Sequence, residues 1–178
     1  MRHYFIQPLI NSFFNGALVL VPLLFVAHLF KLQFPVINKA TLVQAVNCTL
    51  LLGAVLYVLV VPIEFFISYY YGGEYEQYTM GNRLFSSFWI DFLILVIFPN
   101  VLLPQILWVK KFRQTIISSV IIVSIWLFLY LLTDLFATHR GWYIVIGLTW
   151  FYYLKQALIY TAIVGAMYFI LARKRVLR

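Results

Sequence analysis

The stretch "VQAVNCTLLLGAVLYVLVVPIEFFISYYY", residues 43–71, holds one charged side chain, Glu64, in an otherwise apolar run. A helix needs about 20 apolar residues to cross the hydrocarbon core of a bilayer, and this run is longer. Strands of a membrane barrel would be about 10 residues of alternating polarity, which is not the pattern here. Residues 43–71 therefore predict a transmembrane helix long enough to tilt or to project beyond the lipid. The rest of the chain falls into the same register. Four further spans are predicted at about 10–30, 86–108, 115–137 and 143–171. The expected fold is an all-α integral membrane protein, a single bundle of five transmembrane helices over residues 1–178. Short connections join them at 31–42, 72–85, 109–114 and 138–142, with no internal repeat and no linker that would divide the chain into domains.

Composition agrees. The 178 residues are 65% apolar, 20% aromatic and 10% charged, with a mean hydropathy of +0.97. Soluble domains are nearer half apolar and a quarter charged. The formal charge of +8 would point to nucleic acid in a soluble chain. Here the cations gather at span ends, where they set topology, so no nucleic-acid role is expected. One side of the membrane receives Arg2, Arg83 and Arg140. The other receives Lys31, Lys39, Lys110, Lys111, Arg113, Arg173, Lys174, Arg175 and Arg178. Nine against three predicts the second side as cytoplasmic. The N-terminus is then outside (periplasmic in a bacterial inner membrane) and the C-terminus inside. No cleavable signal peptide is evident after Met1-Arg2-His3, and an outside start without one points to a missing or separately encoded partner segment upstream.

Chemistry-bearing residues are few. Cys48 is the only cysteine, which excludes an intramolecular disulfide, a CxxC pair and c-type haem attachment. His28 lies near the cytoplasmic end of the first span, as a proton-relay candidate or an interfacial histidine. His3 and His139 are terminal or loop residues. No metal site is expected, and no cofactor is assigned to the chain. The carboxylates are Glu64, Glu74, Glu76, Asp91 and Asp134. Glu64 sits about two turns below the outer end of its span. A charge at membrane depth costs about 2.5–3.5 kcal/mol on insertion scales and calls for a partner. Lys155, inside the fifth span, is the counter-charge for Glu64 or Asp134, unless its long stem snorkels to the interface. Asp91 and Asp134 are proton-path candidates or hydrated interfacial groups. Pro22, Pro62, Pro99 and Pro104 interrupt spans, two of them flanking Asn100. Trp89, Trp108 and Trp142 fall where an interfacial belt would lie. Tyr69, Tyr70, Tyr71, Tyr75 and Tyr78 instead crowd one outer corner, beside a turn at Gly72-Gly73. Rings with hydroxyl tips suit a protein contact there, and a membrane belt equally.

Two segments resemble the NrfD/polysulfide-reductase membrane-anchor family, in the ActC-type subunits of bacterial alternative complex III. The first is "EFFISYYYGGEYEQYTMGNR", residues 64–83. It matches the family's run at Glu64-Phe65-Phe66-Ile67, Tyr70, Gly72, Tyr75-Glu76-Gln77-Tyr78 and Asn82-Arg83, with Tyr69, Tyr71 and Gly73 replacing a tryptophan, a serine and an asparagine. The second is "NVLLPQILWVKKFR", residues 100–113, with Asn100, Pro104, Gln105 and Trp108 in the family's positions. A weaker third match is "THR", residues 138–140. The family member has about twice this many helices, so the resemblance is to its C-terminal half, over most of residues 43–140. It implies a membrane subunit, or split C-terminal half, of a quinol:electron-acceptor oxidoreductase in the respiratory chain. The 70–83 patch would dock extracytoplasmic redox subunits, and Glu64 would lie on a proton half-channel. Implied partners are an N-terminal NrfD-like half, an iron–sulfur/molybdopterin-like subunit and a multihaem cytochrome c. Quinone or quinol would be bound at the level of the complex. The chain departs from the family at "WLFLY", residues 126–130, where Phe128 and Leu129 replace a Glu–Arg pair. A different class, a stand-alone small transporter or channel using Glu64, Asp134 and Lys155, is the alternative. A third is a degenerate remnant with an assembly role.

With one cysteine and three scattered histidines, the isolated chain is expected to show no Soret band and no iron–sulfur absorption. A visible spectrum of the purified chain checks this.

Overall fold

The computed structural model describes residues 6–32, 37–75, 77–78, 81, 89–90, 93–139 and 149–176. Within its helices, the side chains of residues 6–8, 64, 130, 133–139, 149–150 and 175–176 are outside that description. The regular structure among the described residues is entirely helical. Helix α1 spans Ile6–Leu29 and α2 Lys39–Tyr71. A π-helical run, Leu93–Leu102, passes into a 3-10 run, Leu103–Trp108. The short α3, Lys110–Arg113, precedes α4, Ile116–His139, and α5, Thr149–Val176. Three helical stretches are long and apolar enough to cross a membrane: Leu9–Leu29, Lys39–Tyr71 and Phe151–Lys174, at mean hydropathies of 2.0, 2.5 and 1.6. Leu93–Trp108 and Ile116–Leu129 are shorter apolar stretches among the described residues.

The distribution of polarity is that of a protein in lipid. Ser12, Thr41, Asn47, Thr49, Ser118, Ser119 and Gln156 are buried, while Leu23, Val26, Leu59, Ile63, Phe66, Leu127, Phe128, Leu158 and Phe169 face outward. Water would penalise that arrangement; hydrocarbon rewards it, because hydrogen-bonding groups must find partners inside the bundle.

Helix α1 is the central element, packing on α2, α4 and most extensively on α5. Its buried stripe is Ile10, Phe13, Phe14, Ala17 and Val21, at the three- and four-residue spacing of one helix face. The Phe14 ring meets Tyr57 of α2 and Trp126 of α4 edge-on, with centroids 5.5 and 5.1 Å apart. Two glycines allow close backbone approach. A Cβ at Gly16 would stand 2.8 Å from the Gln156 carbonyl and run into the Tyr160 side chain on α5. One at Gly53 would stand 2.6 Å from Phe13 Cβ. Small residues serve this purpose in membranes because association there depends on van der Waals contact rather than on water release.

The helix ends have local causes. At the end of α1, Leu32 N–H donates to Ala27 O and Lys31 N–H to His28 O, with Lys31 at φ 52°. This is the left-handed cap that glycine usually supplies, made here by a lysine. Helix α2 starts four residues before the predicted span because the Asn38 side chain accepts from Thr41 N–H at 3.2 Å, a side-chain cap that serves one of the first turn's orphan donors. Asn38 N–H in turn donates to the Tyr168 hydroxyl at 3.1 Å, tying this connection to α5.

The third predicted span is the main departure from expectation. A uniform helix over 86–108 was the reading; from Leu93 onward the chain is π-helical and then 3-10, and 82–88 and 91–92 lie outside the described residues. Pro99 and Pro104 are the reason. Neither has an N–H, and each ring crowds the carbonyl four residues earlier. A wider turn relieves the crowding but leaves carbonyls without their helical donors. Side chains replace them. Gln105 Nε2 donates to Val101 O at 2.9 Å, Trp108 Nε1 donates to Gln105 Oε1 at 2.7 Å, and Trp126 Nε1 reaches across from α4 to Pro99 O at 2.6 Å. The reversal into α4 is held by one buried amide: Asn47 Nδ2 of α2 donates to the carbonyls of Arg113 and Thr115, both at 3.0 Å.

Two outcomes check this packing. Gly16→Ala should lower the thermal midpoint in detergent, by about 1–3 kcal/mol of overpacking strain, whereas Gly165→Ala, with nothing within 4 Å of the new methyl, should raise stability by up to about 1 kcal/mol through helix propensity. Asn47→Ala should destabilise by about 1–3 kcal/mol, as two part-buried carbonyls lose their donor. A thiol-reactive dye on Cys48, the sole cysteine, reports all three transitions.

Candidate functional site

Two places gather the residues singled out in the sequence. The first is a cleft of about 180 Å³ between α1, the π-helical run and α4. Phe14, Leu18, Leu95 and Leu129 supply apolar walls; Asn15 and Asn100 supply amides. Pro99 and Trp126, joined by the hydrogen bond described above, complete one side. The π-helical turn positions Asn100 here, because the extra residue per turn rotates it toward α1 and α4. Amides can accept from a hydroxyl and donate to a carbonyl, so the cleft suits an uncharged group bearing either. Its described lining contains no titratable carboxyl, imidazole or amine, so these residues can orient a neutral ligand but cannot themselves carry a proton.

The second is the corner at the end of α2. Phe65 stacks on Tyr69 and Phe66 lies tilted against Tyr70 one turn later, with centroids 6.0 and 4.6 Å apart, and Tyr70 meets Tyr69 edge-on. Tyr71 and Tyr75 are 80% and 79% exposed, and Tyr78 is also exposed. The chain leaves the helix at Gly72 in extended backbone, φ −78° and ψ 161°, which any residue can adopt. Gln77 closes the turn: its N–H donates to Gly73 O at 3.0 Å and its side-chain amide to Gly72 O at 3.2 Å.

The remaining candidates do not converge. His28 is exposed at the end of α1, in a shallow cleft shared with Lys39. Lys155 is exposed on α5, on the face of Phe151, Leu154 and Leu158 and opposite buried Gln156, Ala157 and Tyr160. An exposed lysine on an apolar face is what the snorkelling alternative requires, and the pairing with Glu64 or Asp134 falls on side chains outside the described residues. Glu64 and Asp134 have their backbones in α2 and α4, but their side chains lie outside the described residues. Asp91, Glu76, Asn82 and Arg83 are likewise outside them. Pro104 is buried and Trp108 exposed, and with Gln105 they serve the broken helix. Among the described residues, no three His, Cys, Asp or Glu side chains come together.

The residues that sequence reading missed are neutral polar ones. Asn11 Nδ2 donates to the Tyr152 hydroxyl at 3.3 Å, one turn before Asn15 on the same face. Gln156 is buried with its Oε1 unpartnered among the described residues. Asn11 and Asn15, four apart in an apolar span, were the available signal for polar contacts on α1, the first with Tyr152 of α5 and the second in the cleft.

Comparison of the chain with protein-family models, with curated proteins and with solved structures finds no match in any of the three.

The indole bond is the testable part of the cleft. Trp126→Phe keeps an aromatic ring against Phe14 but removes the donor to Pro99 O. Stability should fall by about 1–3 kcal/mol, the usual result of orphaning a buried acceptor, and thermal unfolding in detergent measures it.

Proposed function

We propose that this chain is a membrane subunit of a multisubunit quinol:electron-acceptor oxidoreductase of the alternative-complex-III type, corresponding to the C-terminal half of its NrfD-like subunit. The observation that carries the reading is the corner at the end of α2. Five tyrosines, three of them on the last turn of the helix, stand exposed beside a turn that Gln77 braces. Exposed rings that stack on one another lose little rotamer freedom on contact, a property of protein interfaces. Three of them, Tyr70, Tyr75 and Tyr78, belong to the first segment of resemblance to the family, whose corresponding corner meets extracytoplasmic redox subunits.

In this reading the chain crosses a bacterial inner membrane five times, with its N-terminus periplasmic and its C-terminus cytoplasmic. Partner subunits hold the iron–sulfur centres, the haems and most of the quinol site. This chain contributes scaffold, a docking surface and, through Glu64, a step in proton movement. The Asn15–Asn100 cleft is the feature that a stand-alone transporter of small neutral solutes would use instead.

Purification separates the two. In mild detergent the subunit should elute with larger partners, identified by mass spectrometry, and a multihaem cytochrome should be among them. A stable, monodisperse lone chain favours the transporter. Glu64→Gln tests the proton role, since an amide keeps the shape but cannot titrate. The variant complex should assemble normally and translocate fewer protons per electron in reconstituted vesicles. An unchanged ratio reduces Glu64 to a packing residue.

A further inference from the structure

The end of the bundle away from the tyrosine corner contains a feature that neither reading uses. The start of α2, the turn around α3 and the end of α5 enclose a pocket of about 560 Å³. Lys110, Arg113 and Lys174 converge on it from two elements, with Gln44, Cys48 and Gln114 between them. Arg113 is fixed in place, since its carbonyl is held by Asn47 at 3.0 Å. Its Nε is shielded from solvent and has no hydrogen-bond acceptor among the described residues. A guanidinium N–H in that state is an unfilled donor, and burying one without an acceptor is unfavourable.

Among the described side chains no carboxylate lines the pocket. The acids are Glu64, Glu74, Glu76, Asp91 and Asp134, and the one whose side chain is described, Glu74, lies beyond the far end of α2. Glu64 is twenty residues from Gln44 along α2, or about 30 Å at the helical rise. Asp134 is twenty residues beyond Gln114, nearly all of them in α4. Screening extends over about 8 Å at physiological ionic strength, so those charges do not neutralise these. Among the described residues these three cations surround an open pocket with no anionic side chain in its wall, and an anion is the group that would fill it. A phosphate fits the donors: two ammonium groups and one guanidinium, with side-chain amides from Gln44 and Gln114 at the wall.

The pocket also has an apolar exit. Leu171 forms part of its wall, and Phe169 and Ile170, on the same part of α5, are exposed at 74% and 62%. A phosphate group placed among the cations would leave hydrocarbon chains free to lie along this outward surface. Basic pockets between membrane helices hold acidic lipid headgroups in this way. We propose that the pocket formed by Lys110, Arg113 and Lys174 is a binding site for the phosphate of an acidic phospholipid.

The test uses the full chain in detergent, with any subunits that accompany it. Phosphatidylglycerol is titrated against phosphatidylcholine and retained lipid is counted by native mass spectrometry, while alkylation of Cys48, at the pocket wall, locates the lipid. The expected result is retention of phosphatidylglycerol but not phosphatidylcholine, with severalfold slower Cys48 alkylation in its presence. Both effects should be lost in Arg113→Gln/Lys174→Gln, which leaves the Asn47 bond to the Arg113 carbonyl intact. Equal retention of the two lipids by the unaltered chain would overturn the proposal without recourse to a variant. Retention and Cys48 protection that survive the double substitution would overturn it too. Protection by inorganic phosphate at millimolar concentration, with none by phosphatidylglycerol, would assign the same cations to a soluble anion and reject the lipid.

Discussion

A carbonyl that loses its helical donor at membrane depth has no water to accept from, and in this protein that constraint shapes the middle of the chain. Pro99 and Pro104 remove two donors from one short segment. The unserved carbonyls are met by Trp126 from α4 and by Gln105 from the next turn, and Trp108 then holds Gln105. Because the Trp126 bond crosses between elements, it fixes the depth of α4 against the broken segment. Because the Trp126 ring also packs on Phe14, it fixes α1 against both. The Asn47 amide does the same for the reversal at 113–115. A soluble protein could leave such groups to solvent; here each one becomes a tertiary contact.

This has a bearing on the second segment of family resemblance. Pro104, Gln105 and Trp108 form a chain of cause and compensation: the proline breaks the ladder, the glutamine repairs it and the tryptophan holds the glutamine. That relation is structural and would recur wherever a membrane helix is broken in this way. Asn100 is different, since it lines the cleft. The tyrosine corner also has no comparable internal use, as most of its ring area points away from the bundle.

The helical, membrane-embedded character was legible in the chain because apolar runs and cationic ends depend on local sequence. The extent of α2 was legible to within a turn, and its early start could have been read from Asn38 and Thr41 as a side-chain cap. The change from π to 3-10 helix was not legible. Prolines at 99 and 104 announce disruption, but whether the chain kinks, widens or breaks depends on which donors other helices bring, and Trp126 is 27 residues away from Pro99. The face of Lys155 was left open between an internal counter-charge and a snorkelling stem for a related reason. A lone cation in an apolar run invites a search for a buried partner, yet the face is decided by Gly16, which draws Gln156 and Tyr160 inward and turns Lys155 out. The polar roles of Asn11, Asn15 and Gln156 were overlooked because uncharged amides do little to lower hydropathy.

The separation of charge along the bundle has an electrical consequence. Among the described side chains, Lys110, Arg113 and Lys174 meet at one end, and the described carboxylate, Glu74, lies beyond the opposite end of α2. The protein is therefore a permanent dipole aligned roughly with its helices. A membrane potential acts on such a dipole with about 2.3 kcal/mol per elementary charge per 100 mV. Reversing the bundle in an energised membrane would work against that field at several charges at once. An energised bilayer thus distinguishes the two senses of insertion, and favours the one with the cationic end on its negative side.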